Sequence, residues 1–310
     1  MTDSPGACGP PDPGIWRTLR HPRPSFVRER VSLHGHTSLR VGGRARFFAE
    51  PTTVDGAADA IAWAEELQLP VVVLGAGTNI VFGDDGYAGL VLSTRGLRGV
   101  RFEATRVVAG AGEPLQGLVW AACERGLSGL EWACGIPGTI GGAVAMNAGA
   151  VGSDIAAVLV SADVLTDGRL AAVPADSLGL GYRTSSFLSG DPRGIVVEAT
   201  FALCRDDPRA CRERARSSIE ERLRRLPVGA SAGCVFRNPD TGPPAGELLD
   251  RAGCKGLKVG HARVSGKHAN VIVNEGIANA SDVLALIERM KRRVLDAFGV
   301  ELREEVMIHP

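Results

Sequence analysis

Cys234, in the segment SAGCVFRNP (231–239), is a residue whose type and setting could do chemistry. It follows Ala232 and Gly233 and precedes an Asn-Pro turn. A buried cysteine usually packs as a small hydrophobic residue, and its reactivity rather than its packing decides whether it has a function. From this fragment alone, packing is the favoured interpretation, and the rest of the chain must decide between packing and a reactive thiol.

The first of two glycine-rich segments, LGAGTNIVFGDDG (74–86), follows a short run of β-branched residues that predicts a strand. It departs from the Rossmann fingerprint because Ile80 stands at the third glycine position and an apolar stretch, not a helix, follows. Its glycines and small polar residues could still offer backbone N–H groups to a pyrophosphate, although an ordinary glycine turn explains them equally well. The candidate cofactor-binding residues here are Gly75, Ala76, Gly77, Thr78 and Asn79.

The second segment, GLEWACGIPGTIGGAVAMNAGA (129–150), is a more specific signal. Its glycines permit a close backbone approach that side chains would block. The uncharged run from Trp132 to Ser153 is long enough to suggest a membrane helix, but six glycines and Pro137 make it a poor helix, so a buried loop is predicted. Together the two segments predict a flavin adenine dinucleotide (FAD), one holding its pyrophosphate and the other its isoalloxazine. The candidate residues here are Ile136, Pro137, Gly138, Thr139, Gly142 and Asn147.

Composition restricts the class of protein. The 310 residues are 45% hydrophobic, and 35 basic residues balance 35 acidic ones, so no net field favours nucleic acid or an anionic membrane. Seven cysteines form no CxxC pair, and this odd count without a predicted signal peptide argues for a reducing cytosol and against a disulfide framework or a zinc site. The Pro-rich N-terminus, without an apolar stretch, predicts a disordered tail over residues 1–24.

The sequence predicts both helices and strands around these residues. An apolar stripe predicts a helix over 52–68, followed by strands at LPVVVL and GLVLST, and a further helix is predicted to begin at Pro114. Strands are predicted near 157–166 and 194–203. Mixed helices and strands with Gly-rich turns indicate an α+β or α/β arrangement.

The arginine-rich segment 205–226 interleaves acids with its arginines and predicts a solvated helix at a domain boundary. Beyond it, an amphipathic helix is predicted from SDVLALIERMKRRVLDAFG, with Ser281 as its N-cap. The alternation in VELREEVMIHP (300–310) places Glu305 on the polar face of a strand and turns Glu304 towards the apolar face.

At these motifs the sequence resembles the UDP-N-acetylenolpyruvoylglucosamine reductase (MurB) family, of the shorter type that lacks an inserted loop after GYRTSSF. The matching segments occur in family order over about residues 31–308. The resemblance implies an α+β fold with a two-lobed FAD domain of the vanillyl-alcohol-oxidase (PCMH) type over 25–210, with lobes of about 25–97 and 98–210. A C-terminal substrate domain then covers 211–310. The segments are TSLRVGGRARFFAEP, LGAGTNIVFGDDGYAGLVL, GLSGLEWACGIPGTIGGAVAMNAGAVG, GYRTSSF, SAGCVFRNP, AGELLDRAGCKGLKVGHARVSGKHANVIVN and LREEV.

The resemblance also implies a reaction and its partners. NADPH would reduce non-covalently bound FAD, and reduced FAD would pass a hydride to an enolpyruvyl ether on UDP-N-acetylglucosamine, giving UDP-N-acetylmuramate for peptidoglycan in the cytoplasm. Neither a nucleic acid nor a membrane partner, nor a metal, is expected. Two alternatives stay open: a flavin oxidase of the same fold acting on an alcohol or lactone, and a non-catalytic flavin- or UDP-sugar-binding regulator.

The family's site residues map onto matching positions. Arg183, in GYRTS, would hold the substrate carboxylate, and Glu305, in LREEV, matches the catalytic glutamate. Cys234 stands where the family usually has a serine that donates a proton, and a thiol is a stronger acid than an alcohol. Tyr182 and Asn238 match substrate-binding positions.

Overall fold

A four-stranded sheet forms the first lobe in the computed structural model, which describes residues 20–189 and 194–310. Helix α1 (Val54–Glu66) connects the second and third strands, and the side chain of Thr53 accepts a hydrogen bond from Gly56 N at its start. Its apolar face packs on the sheet around the buried Trp63. The strands in chain order are β1 (Arg28–Ser32), β2 (Arg44–Ala49), β3 (Val71–Leu74), β4 (Ile80–Phe82) and β5 (Tyr87–Ser93). The sheet order is β1-β2-β5-β3, parallel except for β1, and β4 lies outside it.

The second lobe is an antiparallel five-stranded sheet with helices packed on it. Its strands are β6 (Val100–Glu103), β7 (Arg106–Gly110), β11 (Leu159–Thr166), β12 (Arg169–Pro174) and β13 (Ile195–Ala202), in the order β12-β11-β13-β7-β6. Short pairs flank it: β8 (Leu127–Ser128) with β14 (Cys204–Arg205), and β9 (Gly149–Ala150) with β10 (Ser153–Asp154). The helices are α2 (Leu115–Glu124), α3 (Ile140–Ala145), α4 (Ser186–Ser189) and α5 (Pro208–Arg225).

Helix α5 belongs by its packing to the second lobe. Cys211 and Ala215 are fully buried in the core that the second-lobe sheet shares with α2. The predicted domain boundary at residue 210 therefore falls in the first turn of α5. The arginines that dominate the sequence of this helix concealed the narrow apolar stripe by which it packs.

The C-terminal part is an antiparallel sheet covered by two helices. Its strands are β15 (Ser231–Cys234), β16 (Lys258–Val259), β17 (Ala262–Val264) and β18 (Val271–Asn274), in the order β15-β18-β17-β16. The helices are α6 (Ala245–Arg251) and α7 (Ala280–Phe298), and α7 buries a stripe at helical spacing from Val283 to Val294. The last strand, β19 (Met307–His309), leaves this part and pairs in parallel with β4 of the first lobe.

Three expectations differ in detail from the structure. The predicted buried loop contains helix α3, whose first turn is capped by Thr139. Gly141 is tolerated in this helix because it packs against Ala111, where a Cβ on residue 141 would lie only 2.8 Å from Ala111 Cβ. The N-cap of α7 is Asn279, in a reciprocal capping box, and not Ser281. Within the predicted tail, residues 1–19 lie outside the described residues, and backbone N–H groups at positions 20 and 21 donate to Glu66 on α1.

Candidate functional site

A cavity of about 480 Å³ lies where the two glycine segments meet β15 and the C-terminal segment. A volume of this size is typical of small-molecule sites. Ten of the eleven residues proposed to bind the cofactor line it, as do all three proposed catalytic residues. The ten are Gly75, Ala76, Gly77, Thr78, Asn79, Ile136, Pro137, Gly138, Thr139 and Gly142; the three are Arg183, Cys234 and Glu305.

The turn after β3 offers unused hydrogen-bond donors. In the described part of the chain, the backbone N–H groups of residues 76–79 donate to no protein acceptor. The carbonyls beside them are held from another side: Arg95 donates to Gly75 O at 3.2 Å and to Ala76 O at 2.8 Å. Because N–H groups in a folded protein normally find an acceptor, consecutive free donors lining a cavity indicate an anion-binding turn.

Glycine is required in this turn for two separate reasons. Gly77 has φ +70°, and a Cβ there would lie 2.1 Å from the carbonyl oxygen of His36. A Cβ at Gly75 would lie 2.6 Å from Thr139 Oγ1, so the two glycine segments touch at this point. Thr78 Oγ1 also donates to Pro137 O at 3.1 Å, which fixes one segment on the other.

The second glycine segment presents the start of a helix to the same cavity. Thr139 is the N-cap of α3 and accepts from Gly142 N at 3.4 Å. The backbone N–H groups of Gly138 and Thr139 make no hydrogen bond to the described residues. The cavity wall therefore combines an apolar surface with free backbone donors, a combination that suits a large, partly apolar, anionic cofactor such as FAD.

Asn147 is the one proposed cofactor residue that does not line this cavity. Its amide nitrogen donates to Asp154 Oδ2 at 3.1 Å and to Gly181 O at 3.0 Å, while its Oδ1 accepts from Ala156 N at 2.9 Å. The side chain is buried and fully bonded within the protein. It lies at a second, adjoining cavity of about 470 Å³, which Tyr182, Arg183 and Asn238 also line.

Arg183 and Glu305 form an ion pair where the two cavities adjoin. Arg183 Nε lies 3.0 Å from Glu305 Oε1, and its Nη2 donates to Gly149 O at 2.7 Å. The Glu305 side chain is only 15% exposed. Burial raises the pKa of Glu305, and the neighbouring Arg183 opposes that rise without overcoming it.

Cys234 lies at the end of β15 and borders the same cavity. Burial raises the pKa of its thiol to about 11, with the Glu305 charge adding to the rise and Arg222 and Arg183 opposing it. The thiol is therefore protonated at neutral pH. In that state the thiol can donate a proton but is a poor nucleophile.

The contacts of Glu304 and Glu305 show which of these two neighbouring glutamates faces the cavity. Glu305 reaches the cavity, whereas Glu304 Oε1 accepts from Lys291 Nζ at 2.8 Å on the outer side. The apolar residues of the predicted alternation (Val300, Leu302, Val306 and Ile308) do pack on the C-terminal core. Glu304 instead pairs with Lys291, and only Met307–His309 forms a strand. Asn79 Nδ2 donates to Glu305 O at 3.1 Å, which attaches this segment to the first glycine turn.

The two proposed substrate residues differ in their contacts: the side chain of Asn238 is hydrogen-bonded to the backbone, whereas that of Tyr182 is exposed. Asn238 Oδ1 accepts from Ala245 N at 3.0 Å, which satisfies the first turn of α6. Tyr182 is 57% exposed, and the Arg183 guanidinium carbon lies 5.6 Å from its ring centroid.

Sequence reasoning missed Arg222, which lines the main cavity from the last turn of α5. The surrounding segment holds many arginines at similar spacing, and no local feature separates Arg222 from its exposed neighbours. Only the packing of α5 on the second lobe turns this side chain inward.

A group of side chains with metal-ligating atoms lies away from the cavity, at Glu131, Asp206 and Cys211. Arg214 occupies its centre, with Nη2 at 2.6 Å from Glu131 Oε1 and 2.5 Å from Asp206 Oδ2. This guanidinium already balances the acidic charge, so the group is a structural ion-pair network. Within residues 20–189 and 194–310, no helix has the length and apolar composition needed to cross a bilayer.

Comparisons with known proteins find relatives of both parts of the chain. Residues 45–171 match a family model described as an FAD binding domain, and residues 225–309 match the C-terminal domain of UDP-N-acetylenolpyruvoylglucosamine reductase. A reductase of that name from Chloroflexus aggregans is 41% identical over 94% of this chain and 100% of its own. The one from Synechococcus elongatus is 43% identical over 91% and 94%. The crystal structure of the Thermus caldophilus enzyme matches with a TM-score of 0.77 and 36% identity, over 92% of this chain and 100% of that one.

Proposed function

Because the chain belongs to the UDP-N-acetylenolpyruvoylglucosamine reductase family, we propose that it reduces enolpyruvyl-UDP-N-acetylglucosamine to UDP-N-acetylmuramate with NADPH and FAD. The reaction would supply peptidoglycan synthesis in the cytoplasm. The observation that carries the proposal is the convergence of Arg183, Cys234 and Glu305, from distant parts of the sequence, at one cavity whose other walls are the glycine turns.

The residues present fit FAD. The free N–H groups of residues 76–79 suit its pyrophosphate, and those of Gly138 and Thr139 can hold polar atoms of the cofactor against the apolar wall. When bound, FAD supplies the two-electron chemistry that no side chain can perform. We expect the cofactor to be bound non-covalently and to be released by acid or heat; colour that stays on the denatured chain would contradict this.

The side chains at the reacting end have complementary tasks. Hydride addition to the terminal vinyl carbon sends negative charge through the adjacent carbon into the substrate carboxylate. Arg183 can bind that carboxylate through two N–H groups and stabilise the charge as it develops. Glu305 orients Arg183 through their ion pair and, because its pKa is raised, can also take up a proton near the substrate.

Cys234 completes the reaction by protonating the adjacent carbon. The S–H bond breaks as the new C–H bond forms, and solvent returns the proton to the thiolate. In sum, substrate, NADPH and one proton give product and NADP⁺. The thiolate that forms lies near Arg222 and Arg183, whose positive charges stabilise it.

The experiment is an anaerobic stopped-flow measurement of the two half-reactions. NADPH should bleach the visible absorbance of the oxidised flavin, and enolpyruvyl-UDP-N-acetylglucosamine should restore it without oxygen. Flavin that NADPH does not reduce, or reduced flavin that this substrate leaves unchanged, would overturn the proposal. Reduction by a sugar alcohol with reoxidation by oxygen would identify an oxidase instead.

A further inference from the structure

Arg222 is a charged side chain at the main cavity for which the described residues supply no partner. In the described part of the chain its guanidinium makes no hydrogen bond or ion pair, although the neighbouring Arg183 is paired with Glu305. Burial lowers the pKa of Arg222, with the Arg183 charge adding to that effect. Because a desolvated, unpaired cation is costly, its presence indicates an anionic ligand group at this position.

One contact and the cavity that it lines place Arg222 on the cofactor side. Its stem packs on the second glycine segment: a Cβ on Gly135, where φ is +90°, would lie 3.3 Å from Arg222 Cδ. It lines the main cavity only, whereas Arg183 lines both cavities and so reaches the substrate side. Arg222 thus lies between the turn that leads into Ile136–Gly138 and the thiol of Cys234.

We propose that Arg222 is the cation that compensates the negative charge of reduced FAD. The inference rests on the proposed function for the presence of FAD at this cavity. A hydride is one proton with two electrons, so its transfer leaves NADP⁺ and, without a second proton, gives the flavin one negative charge. Since the redox ring must lie near Cys234 and the substrate, the Arg222 charge stabilises the reduced form over the oxidised one.

The test is the reduction potential of bound FAD, measured by equilibration with a reference dye, without NADPH or the UDP-sugar. Arg222→Met removes the charge and keeps an unbranched stem against Gly135. We expect the equilibrium to shift towards oxidised FAD by about tenfold, which for a two-electron couple is about 30 mV. The affinity of oxidised flavin for sulfite, whose adduct also carries negative charge, should fall by a similar factor.

Two further variants serve as controls. Arg224→Met, on the same turn of α5 but exposed, should keep the wild-type potential and sulfite affinity. Arg222→Lys keeps a positive charge, so its reduction equilibrium and its sulfite affinity should stay within about threefold of wild type. If Arg222→Met fails to retain FAD, the lysine variant still tests the proposal.

Two results would overturn the proposal. One is an Arg222→Met protein with the wild-type potential; weakened binding of the enolpyruvyl substrate in a separate titration would then assign Arg222 to the substrate. The other is an Arg222→Lys protein whose potential falls as far as that of the methionine variant. Because neither NADPH nor the UDP-sugar enters the measurement, failure of the proposed reaction would be seen separately, in the half-reactions.

Discussion

The two ends of the main cavity are built by different means. One end consists of backbone N–H groups on two glycine segments, each continuous in sequence. The other end consists of side chains from separate segments, such as Arg183 and Glu305, which are 122 residues apart and paired at 3.0 Å. The first end should therefore depend on the absence of a Cβ and on φ, whereas the second should depend on charge and protonation.

The largest expected effect is at the side-chain end. Cys234→Ala should slow reoxidation of FAD by the enolpyruvyl substrate by about 10²–10⁴-fold, the usual contribution of a general acid, while reduction by NADPH stays near the wild-type rate. Cys234→Ser should retain measurable turnover, because a hydroxyl can also donate a proton. Stopped-flow traces of both half-reactions measure this, and wild-type reoxidation in Cys234→Ala would reduce position 234 to packing.

The same thiol gives a second, pH-dependent readout. Because the pKa of Cys234 is about 11, alkylation by iodoacetamide should be slow at pH 7 and rise about tenfold per pH unit up to that value. Bound substrate should protect it. The exposed Cys204 is an internal control for reagent activity, followed by mass spectrometry. Rapid, pH-independent labelling of Cys234 would contradict a buried, protonated thiol.

At the backbone end, Gly77→Ala should cost stability and FAD together. The positive φ alone costs an alanine about 1–2 kcal/mol, and the contact with His36 O adds to this. Gly256→Ala is the matched control, since its φ is +77° but a Cβ there meets no atom within 4 Å. Urea unfolding and the flavin content of the purified protein compare the two variants. Equal destabilisation with full FAD content would show that close approach at Gly77 is unimportant.

The raised pKa of Glu305 should make the difference in stability between Glu305→Gln and the wild type depend on pH. Since the native protein holds the proton more tightly, wild-type stability should fall as pH rises from the usual value of 4.5 to the raised native value. Glutamine cannot ionise, so the unfolding free energy of the variant minus that of the wild type should increase across the same window. Urea unfolding at several pH values tests this; a difference that decreases with pH would contradict the assignment.

The smallest effect is expected at Glu304, the residue before Glu305. Glu304→Gln removes only a partly exposed ion pair with Lys291, so the loss should be about 0.2–1 kcal/mol and turnover should stay close to wild type. Steady-state kinetics and urea unfolding measure both. A large loss of turnover here, with little loss in Glu305→Gln, would reverse the assignment of the two glutamates.

The contrast between the two ends also explains what sequence could predict. The glycine segments were recognisable because close backbone approach leaves a local mark: a missing side chain at Gly75, Gly77 and Gly138. Helix α1 and strands β3 and β5 followed from local periodicity in the same way. The helix α3 was missed because Gly141, which weakens it, is required by its close contact with Ala111, which no local pattern reveals.

The side-chain end could not be assembled from local patterns. Arg183, Cys234 and Glu305 were named through the family resemblance, and only the pairing of β19 with β4 and the position of β15 bring their segments together. Arg222 was missed because arginines are common in α5, and the sequence does not show that this one lines the main cavity. The orientation of Asn147 depended on Asp154 and Gly181, which a reading of its own segment does not supply.

The pairing of β19 with β4 has a consequence for the synthesis of the protein. The first glycine turn ends at Asn79, whose side chain and carbonyl are held by Glu305 and Met307. At about 5–20 residues per second, the ribosome needs roughly ten to fifty seconds to pass from one segment to the other. During that interval the nascent chain carries an anion-binding turn that lacks its closing strand. The first lobe therefore cannot complete the proposed cofactor site during translation until the last strand has left the exit tunnel.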